Sequence, residues 1–159
     1  MNFRFAIGFD IHKLVPGRKL KLCGVEIPYE KGLLGYSDGD VGLHALIDAA
    51  LSAAGLPDIG TLFPEGDPQY KNIESVLLLK KTLELLKENK FKIIQVDFTF
   101  ICDKPKLSNY YSKMKEYLSN FLKIEPSFIG IKARTTEGLI KNEEAIACIC
   151  LVVLEKLVF

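Results

Sequence analysis

Asp10 and His12 stand two residues apart in "GFDIHKL", residues 8 to 14. On an extended strand such a pair projects in one direction. A carboxylate beside an imidazole is a chelating set for a divalent cation, with oxygen and nitrogen ligands at about 2.0–2.2 Å. Two ligands are too few for a site. The only other histidine is His44, flanked at helical spacing by Asp40 and Asp48. Asp10, His12 and His44 would supply three ligands and leave a fourth position open, the pattern of catalytic rather than structural zinc. Asp40 or Asp48 could orient the His44 ring from behind. Each histidine is also what an ordinary surface or hydrogen-bonded side chain looks like, and the three residues alone leave both readings open.

Four further stretches carry polar chemistry. "YSDGD", residues 36 to 40, places two carboxylates and a glycine at a helix start, where Ser37, Asp38 and Asp40 offer capping groups. "DIGTLFPEGD", residues 58 to 67, sets three carboxylates and Phe63 in a loop punctuated by glycine and proline, suited to a hydroxylated ligand. "KPK", residues 104 to 106, sits where a strand gives way to a helix and can approach phosphate, although loop lysines are commonly just solvated. "RTTEG", residues 134 to 138, ends a strand with donors for phosphate oxygens beside a carboxylate ligand for a hard cation. Together they describe metal-assisted phosphate chemistry.

The elements that must position these groups are readable from periodicity. Residues 3 to 11 alternate, with Phe3, Phe5, Ile7, Phe9 and Ile11 on one face, which predicts a core face, and Arg4, Ala6, Gly8 and Asp10 on the other. A hairpin is expected at Leu20–Leu22 and Val25–Ile27. A helix follows over "VGLHALIDAALSAAG", then an irregular loop over residues 56 to 70, a second helix over residues 73 to 89 and a strand over residues 91 to 102. Tyr110, Met114, Tyr117, Leu118, Phe121 and Leu122 mark a third helix, and two strands close the chain. The fold class is therefore α/β (α+β): one mixed sheet packed on one side by helices, residues 1 to 159 forming a single domain. The apolar last strand needs cover on both faces, from helices or from another subunit.

At 159 residues one domain buries roughly 70% of its unfolded surface without staples. Cys23, Cys102, Cys148 and Cys150 lack metal-knuckle spacing and read as buried thiols of a reducing cytoplasm. A formal charge of +1 with no sustained basic block argues against nucleic acid as a partner. No apolar run is long enough to cross a membrane, and the start of the chain reads as strand rather than as a leader. A cytoplasmic protein is expected, or one in an organelle lumen had a targeting segment been removed.

The combination of "GFDIHKL", "IPYEKGLLGYSDGDVGLHALIDAALSAAGLPDIGTLFP", "DKPKL" and "KARTTEGL" resembles the 2-C-methyl-D-erythritol 2,4-cyclodiphosphate synthase family of the non-mevalonate isoprenoid pathway, over essentially the whole chain. The resemblance implies a lyase that releases cytidine monophosphate from 4-diphosphocytidyl-2-C-methyl-D-erythritol 2-phosphate and closes a cyclic diphosphate. It implies zinc on Asp10, His12 and His44, and a magnesium or manganese ion on Glu137. Asp10, Ile11 and His12 with Tyr36 and Ser37 then face substrate. Asp58, Ile59 and Gly60 with Phe63, Pro64, Glu65, Gly66 and Asp67 match the segment that holds the methylerythritol portion. Cys102, Asp103, Lys104, Pro105, Lys106, Leu107 and Ser108, with Ala133, Arg134, Thr135, Thr136 and Glu137, match the cytidine-diphosphate side. Thr135 matches a transition-state stabiliser. The family forms homotrimers with active sites between subunits.

Some positions depart from the family pattern. Tyr36 stands where a histidine is common, so a hydrogen bond usually given by imidazole would come from a phenol. Arg134 replaces a commoner threonine and Glu65 a commoner aspartate. "IKNEEAIA", residues 140 to 147, lacks the usual glycine-rich turn and its arginine, while Phe9 and Glu144 are kept. An isoprenoid diphosphate in the trimer cavity is therefore not an expected ligand. Two other readings fit the residues: a zinc phosphohydrolase in which the metal activates water, and a non-catalytic metal-stabilised oligomer that binds cytidine nucleotides or lipid diphosphates.

Overall fold

The computed structural model describes residues 2–139 and 144–158. Strand β1 (Phe3–Pro16) is followed by the hairpin β2 (Leu20–Leu22) and β3 (Val25–Ile27), then by a short strand β4 (Lys31–Leu33). Helix α1 (Val41–Ala54) leads through a one-turn helix α2 (Ile59–Leu62) to α3 (Ser75–Glu88) and strand β5 (Phe91–Ile101). Helix α4 (Tyr111–Leu122) and strands β6 (Ile129–Arg134) and β7 (Ala145–Lys156) complete the chain. The five-stranded sheet has the order β4-β1-β7-β5-β6, with β5 and β6 parallel and the other pairs antiparallel. This is the expected mixed sheet with helices on one face.

The helices cover the face that carries Gly8 and Leu14 of β1, Ile146, Cys148, Cys150, Val152 and Leu154 of β7, and Val96, Phe98 and Phe100 of β5. Cys148 and Cys150 are core residues, and all four cysteines are unpaired and buried. Helix α1 is rich in small residues, with Ala45, Ala49, Ala50 and Ala53 all buried, so its backbone can settle close against β1. It stops at Gly55, whose left-handed backbone (φ 73°) receives the chain where a Cβ would be strained.

Two expectations change. Phe3, Phe5, Ile7, Phe9 and Ile11 are not core in this chain: Phe5 is 71% and Ile7 66% exposed. Periodicity gave the alternation correctly, but it cannot say which face the helices take. Gly8 and the small residues of α1 decide that, because only the Gly8 side admits a helix backbone. Helices cover one face of the last strand, with Ile149 and Leu151 exposed opposite Cys148 and Cys150, which leaves the second face to the other cover expected, another subunit. The loop over residues 56 to 70 is more regular than its prolines suggested: Asp58 caps α2, Asp67 caps a 3₁₀ turn at Pro68–Tyr70, and each carboxylate accepts a backbone N–H two or three residues on. Strand β4 was not foreseen, being three residues long. Of the residues that depart from the family pattern, 140 to 143 lie outside the described set.

Candidate metal centre and its cavity

Asp10 and His12 project from the covered face of β1, and α1 lays His44 across them. Asp10 Oδ2 lies 2.9 Å from His12 Nε2 and 2.9 Å from His44 Nδ1, and the two ring nitrogens are 3.2 Å apart. One oxygen and two nitrogens thus point at a common centre. Ligands about 2.0–2.1 Å from a tetrahedral ion sit about 3.3 Å from one another, so the donors need only a small spread to accept one. The chemistry of the set fits as well: one anionic oxygen and two imidazoles suit a borderline ion such as zinc. His12 Nδ1–H donates to the Leu34 carbonyl at 2.6 Å, which turns Nε2 toward the centre.

Electrostatics in the metal-free chain follow from the same contacts. Burial works to raise the Asp10 carboxyl, but the hydrogen bonds and charges of His12 and His44 outweigh it and hold the group well below the usual carboxylate range. Burial works to lower His12, and the hydrogen bond and charge of Asp10, with the Leu34 carbonyl and the charge of Glu65, outweigh it and raise the ring above its ordinary 6.5.

Asp40 and Asp48, expected to orient His44, do neither. Asp40 is fully buried and caps α1, accepting the N–H groups of Leu43 (3.0 Å), Cys23 (2.9 Å) and Gly24 (2.8 Å), so one carboxylate fastens both helix and hairpin. Burial, then the charge of Asp38, pushes its carboxyl up to about 6 against those three donors. Asp48 accepts the Ile59 N–H at 3.1 Å and ties α1 to α2. The ring of His44 is instead backed by hydroxyls: Nε2 lies 2.8 Å from Ser75 Oγ and 3.0 Å from Ser37 Oγ. Sequence reasoning missed Ser75, since a lone serine at a helix start signals only a cap.

The triad opens into a cavity of about 150 Å³ whose lining includes Tyr36, Ser37, Asp48, Ile59, Gly60, Phe63 and Glu65. The loop expected to hold a polyol is therefore brought to the metal centre. Within it, Asp58 and Asp67 are engaged as caps, leaving Glu65 as the carboxylate that faces the cavity. Tyr36 O–H donates to the Asp67 carbonyl at 3.0 Å, so the phenol also braces this loop.

The second group of expected residues forms its own cluster. The Cys102 N–H donates to the Arg134 carbonyl at 2.9 Å, and Asp103 accepts the Thr136 N–H at 2.7 Å and the Thr136 hydroxyl at 2.9 Å. The Lys104–Pro105 peptide is cis. Glu137 has a left-handed backbone (φ 56°) and its N–H donates to Thr135 Oγ1 at 3.2 Å. Residues 102 to 108 and 133 to 137 are thus joined at one end of β5 and β6. They do not meet the triad. Arg134 pairs with Ile101, Ile101 with Ala147, and Ala147 with Ile11, a single row across the sheet. Three interstrand steps of about 4.8 Å put the two clusters about 14 Å apart at the same end of the sheet.

The chain is similar to known proteins over nearly its whole length. The YgbB family matches residues 3–155. The chain is 53% identical over 137 residues to a 2-C-methyl-D-erythritol 2,4-cyclodiphosphate synthase of Caldicellulosiruptor bescii, covering 86% of this chain and 87% of that one. It is 49% identical over 156 residues to the synthase of a Geobacillus species, covering 97% and 99%. A solved structure of such a synthase in its CDP-bound form superposes with a TM-score of 0.89 at 37% identity, over 96% of this chain and all of that one. With the sequence matched from Phe3 to Glu155 and the solved fold reproduced over nearly the whole length, this chain belongs to the YgbB family.

Proposed function

We propose that this chain converts 4-diphosphocytidyl-2-C-methyl-D-erythritol 2-phosphate to 2-C-methyl-D-erythritol 2,4-cyclodiphosphate with release of cytidine monophosphate, a lyase step of the non-mevalonate route to isoprenoids. The observation that supports it most is the convergence of Asp10, His12 and His44 at the mouth of a cavity walled by residues 59 to 65, in a chain whose full-length relatives carry that name.

The substrate brings its own nucleophile. An oxygen of the 2-phosphate attacks the β-phosphorus, the bond from that phosphorus to the bridging oxygen breaks, and cytidine monophosphate leaves with the electron pair. Holding the two ends in line can account for about 7–11 kcal/mol of the barrier. The cavity walls Ile59, Gly60, Phe63 and Pro64 would exclude water around the methylerythritol portion, and Glu65 would accept from its hydroxyls, with Asp58, Gly66 and Asp67 fixing the loop. Residues 102 to 108 and 133 to 136 would hold the cytidine diphosphate, Lys104 and Lys106 facing its charge. Thr135 would donate to a phosphate oxygen, and Tyr36 would donate from the opposite wall once released from Asp67. Zinc on Asp10, His12 and His44, and magnesium or manganese on Glu137, would neutralise the charge gathered on the phosphates.

Because one chain keeps the triad and the cytidine cluster about 14 Å apart, we assign the working unit to a homotrimer in which each site joins the triad of one subunit to residues 102 to 108 and 133 to 137 of the next. The exposed apolar face of β1 and β7 would be its interior. The same reading makes residues 1 to 159 one cyclodiphosphate synthase domain working in the cytoplasm. Phosphorus NMR of the protein with substrate, zinc and magnesium tests the activity. A cyclic diphosphate appearing with cytidine monophosphate is expected; a linear phosphate without the cyclic product would instead make the protein a hydrolase.

A further inference from the structure

The His44 ring is held from behind by a chain of groups that ends on a carboxylate outside the cavity. Ser75 is fully buried at the start of α3. Its Oγ lies 2.8 Å from His44 Nε2, its hydroxyl donates to Asp38 Oδ1, and its backbone N–H donates to Asp38 Oδ2 at 3.1 Å. Asp38 is fixed in turn, since its N–H donates to the Ile73 carbonyl at 3.1 Å and Oδ1 accepts the Asp40 N–H at 3.3 Å. The Asn72 N–H donates to the Tyr36 carbonyl at 2.8 Å. A short backbone bridge between residues 36–38 and 72–75 therefore sets where the serine hydroxyl stands.

The direction of this chain is decided by counting hydrogens. An ionised carboxylate has none to give, so the single hydroxyl hydrogen of Ser75 must go to Asp38. Ser75 Oγ can then only accept from His44, and Nε2 must carry the ring hydrogen. With Nε2–H given to Ser75, the hydrogen that Nδ1 shares with Asp10 in the metal-free chain is the one a cation displaces, and the Nδ1 lone pair then faces the metal centre. We propose that Ser75 and Asp38 are positioning residues of the metal centre: they select the His44 tautomer that presents Nδ1 to the ion. His12 reaches the same end through the Leu34 carbonyl, so the two imidazoles use different devices. Ser37 Oγ, 3.0 Å from Nε2, provides a second acceptor should Ser75 be lost.

The inference rests on the reading of Asp10, His12 and His44 as a metal centre, and the test separates the two. Zinc affinity of the whole protein is measured by competition with a chromophoric chelator, with circular dichroism as a check of folding. Outer partners of this kind are worth about 10–100-fold in metal affinity. S75A is expected to lose about 10-fold, because Ser37 still accepts, and S37A/S75A to approach 100-fold. D38N supplies the second line: an amide can donate to Ser75, which frees the hydroxyl hydrogen to turn toward Nε2 and populate the wrong tautomer. Long-range proton–nitrogen NMR of the metal-free protein should show His44 protonated at Nε2 in the wild type and partly deprotonated there in D38N, a change that a purely structural serine would not produce. Wild-type affinity in folded S75A, S37A/S75A and D38N would overturn the proposal while leaving the metal centre standing. A wild-type protein that binds no zinc would overturn both.

Discussion

Gly8 of β1 lies directly under Ala45 of α1: a Cβ built at position 8 would come within 2.0 Å of the Ala45 carbonyl oxygen and 2.8 Å of the Ala49 nitrogen. That contact explains why a glycine precedes Asp10. It lets the helix backbone sink onto the strand so that His44, one residue before Ala45, reaches Asp10, two residues after Gly8. G8A should therefore act on both stability and the metal centre. Overpacking against backbone costs about 1–3 kcal/mol, and the lifted helix should carry His44 away from Asp10. Urea unfolding and zinc titration of G8A are expected to show both losses; weaker stability with unchanged zinc affinity would mean that α1 tilts without moving His44.

Zinc binding should weaken on acidification. In the metal-free chain His12 sits above its ordinary 6.5 and Asp10 well below its ordinary 3.8. For His12 the folded value exceeds the unfolded one, so its pairing stabilises the apo fold below about 6.5 and fades as pH rises through the raised value. For Asp10 the folded value is depressed, so its contribution is present above about 3.8 and fades as pH falls toward the lowered value. The pair is whole between those limits, and there zinc must displace the His12 proton. Below the raised His12 value, affinity should fall about tenfold per pH unit for one displaced proton. A zinc titration series from acid to neutral pH checks this, and a flat profile would place His12 outside the ligand set.

Asp40 is expected to govern stability rather than chemistry. Replacing it with alanine removes the α1 cap, about 1 kcal/mol, and orphans the buried N–H groups of Cys23 and Gly24, each at about 1–3 kcal/mol unless water reaches it. D40A should unfold at clearly lower urea than the wild type, by about 3–7 kcal/mol in total where no water reaches the two groups. Among molecules still folded, zinc affinity should be nearly unchanged. A large loss of zinc affinity in folded D40A would return to Asp40 the orienting role that its hydrogen bonds deny it.

Much of this was legible in the sequence, and the exceptions have physical causes. Helix α1, the hairpin, β5 and β7 announce themselves through period and punctuation, and Asp10, His12 and His44 through residue type. The facing of β1 was not readable, because phenylalanine and isoleucine at alternate positions look alike whether a helix or another copy of the chain covers them. The partner of His44 was not readable either: Asp40 and Asp48 lie at the right spacing on its own helix, whereas Ser75 arrives from α3, 31 residues away. Helical spacing identifies neighbours on one element and is silent about an element packed across it.

The exposed β1 face yields a prediction of assembly. Ile7 pairs with Leu151 of β7, and both side chains lie on the face opposite the helices. I7D adds a charge there without entering the core of the chain. The variant should fold and keep its zinc affinity but fail to assemble, which light scattering after gel filtration would show as a monomer without cyclase activity. An assembled, active I7D protein would exclude this face from the subunit interface.

A shared site makes a sharper claim than assembly alone. D10N removes a metal ligand and T135A a phosphate donor, and each should leave a folded, inactive protein. If one site takes its triad from one subunit and Thr135 from the next, subunits of the two variants co-assembled in equal amounts form some sites with both halves intact. Random mixing puts a chain with wild-type Asp10 beside one with wild-type Thr135 in about one quarter of the sites. The mixture should then recover about a quarter of wild-type activity, whereas either variant alone stays inactive. Were each site built within one chain, every chain in the mixture would lack one half and no activity could return. Separation of the two clusters by three interstrand steps along the row Ile11–Ala147–Ile101–Arg134 favours recovery, since β7 and β5 lie between them and no side chain spans that distance.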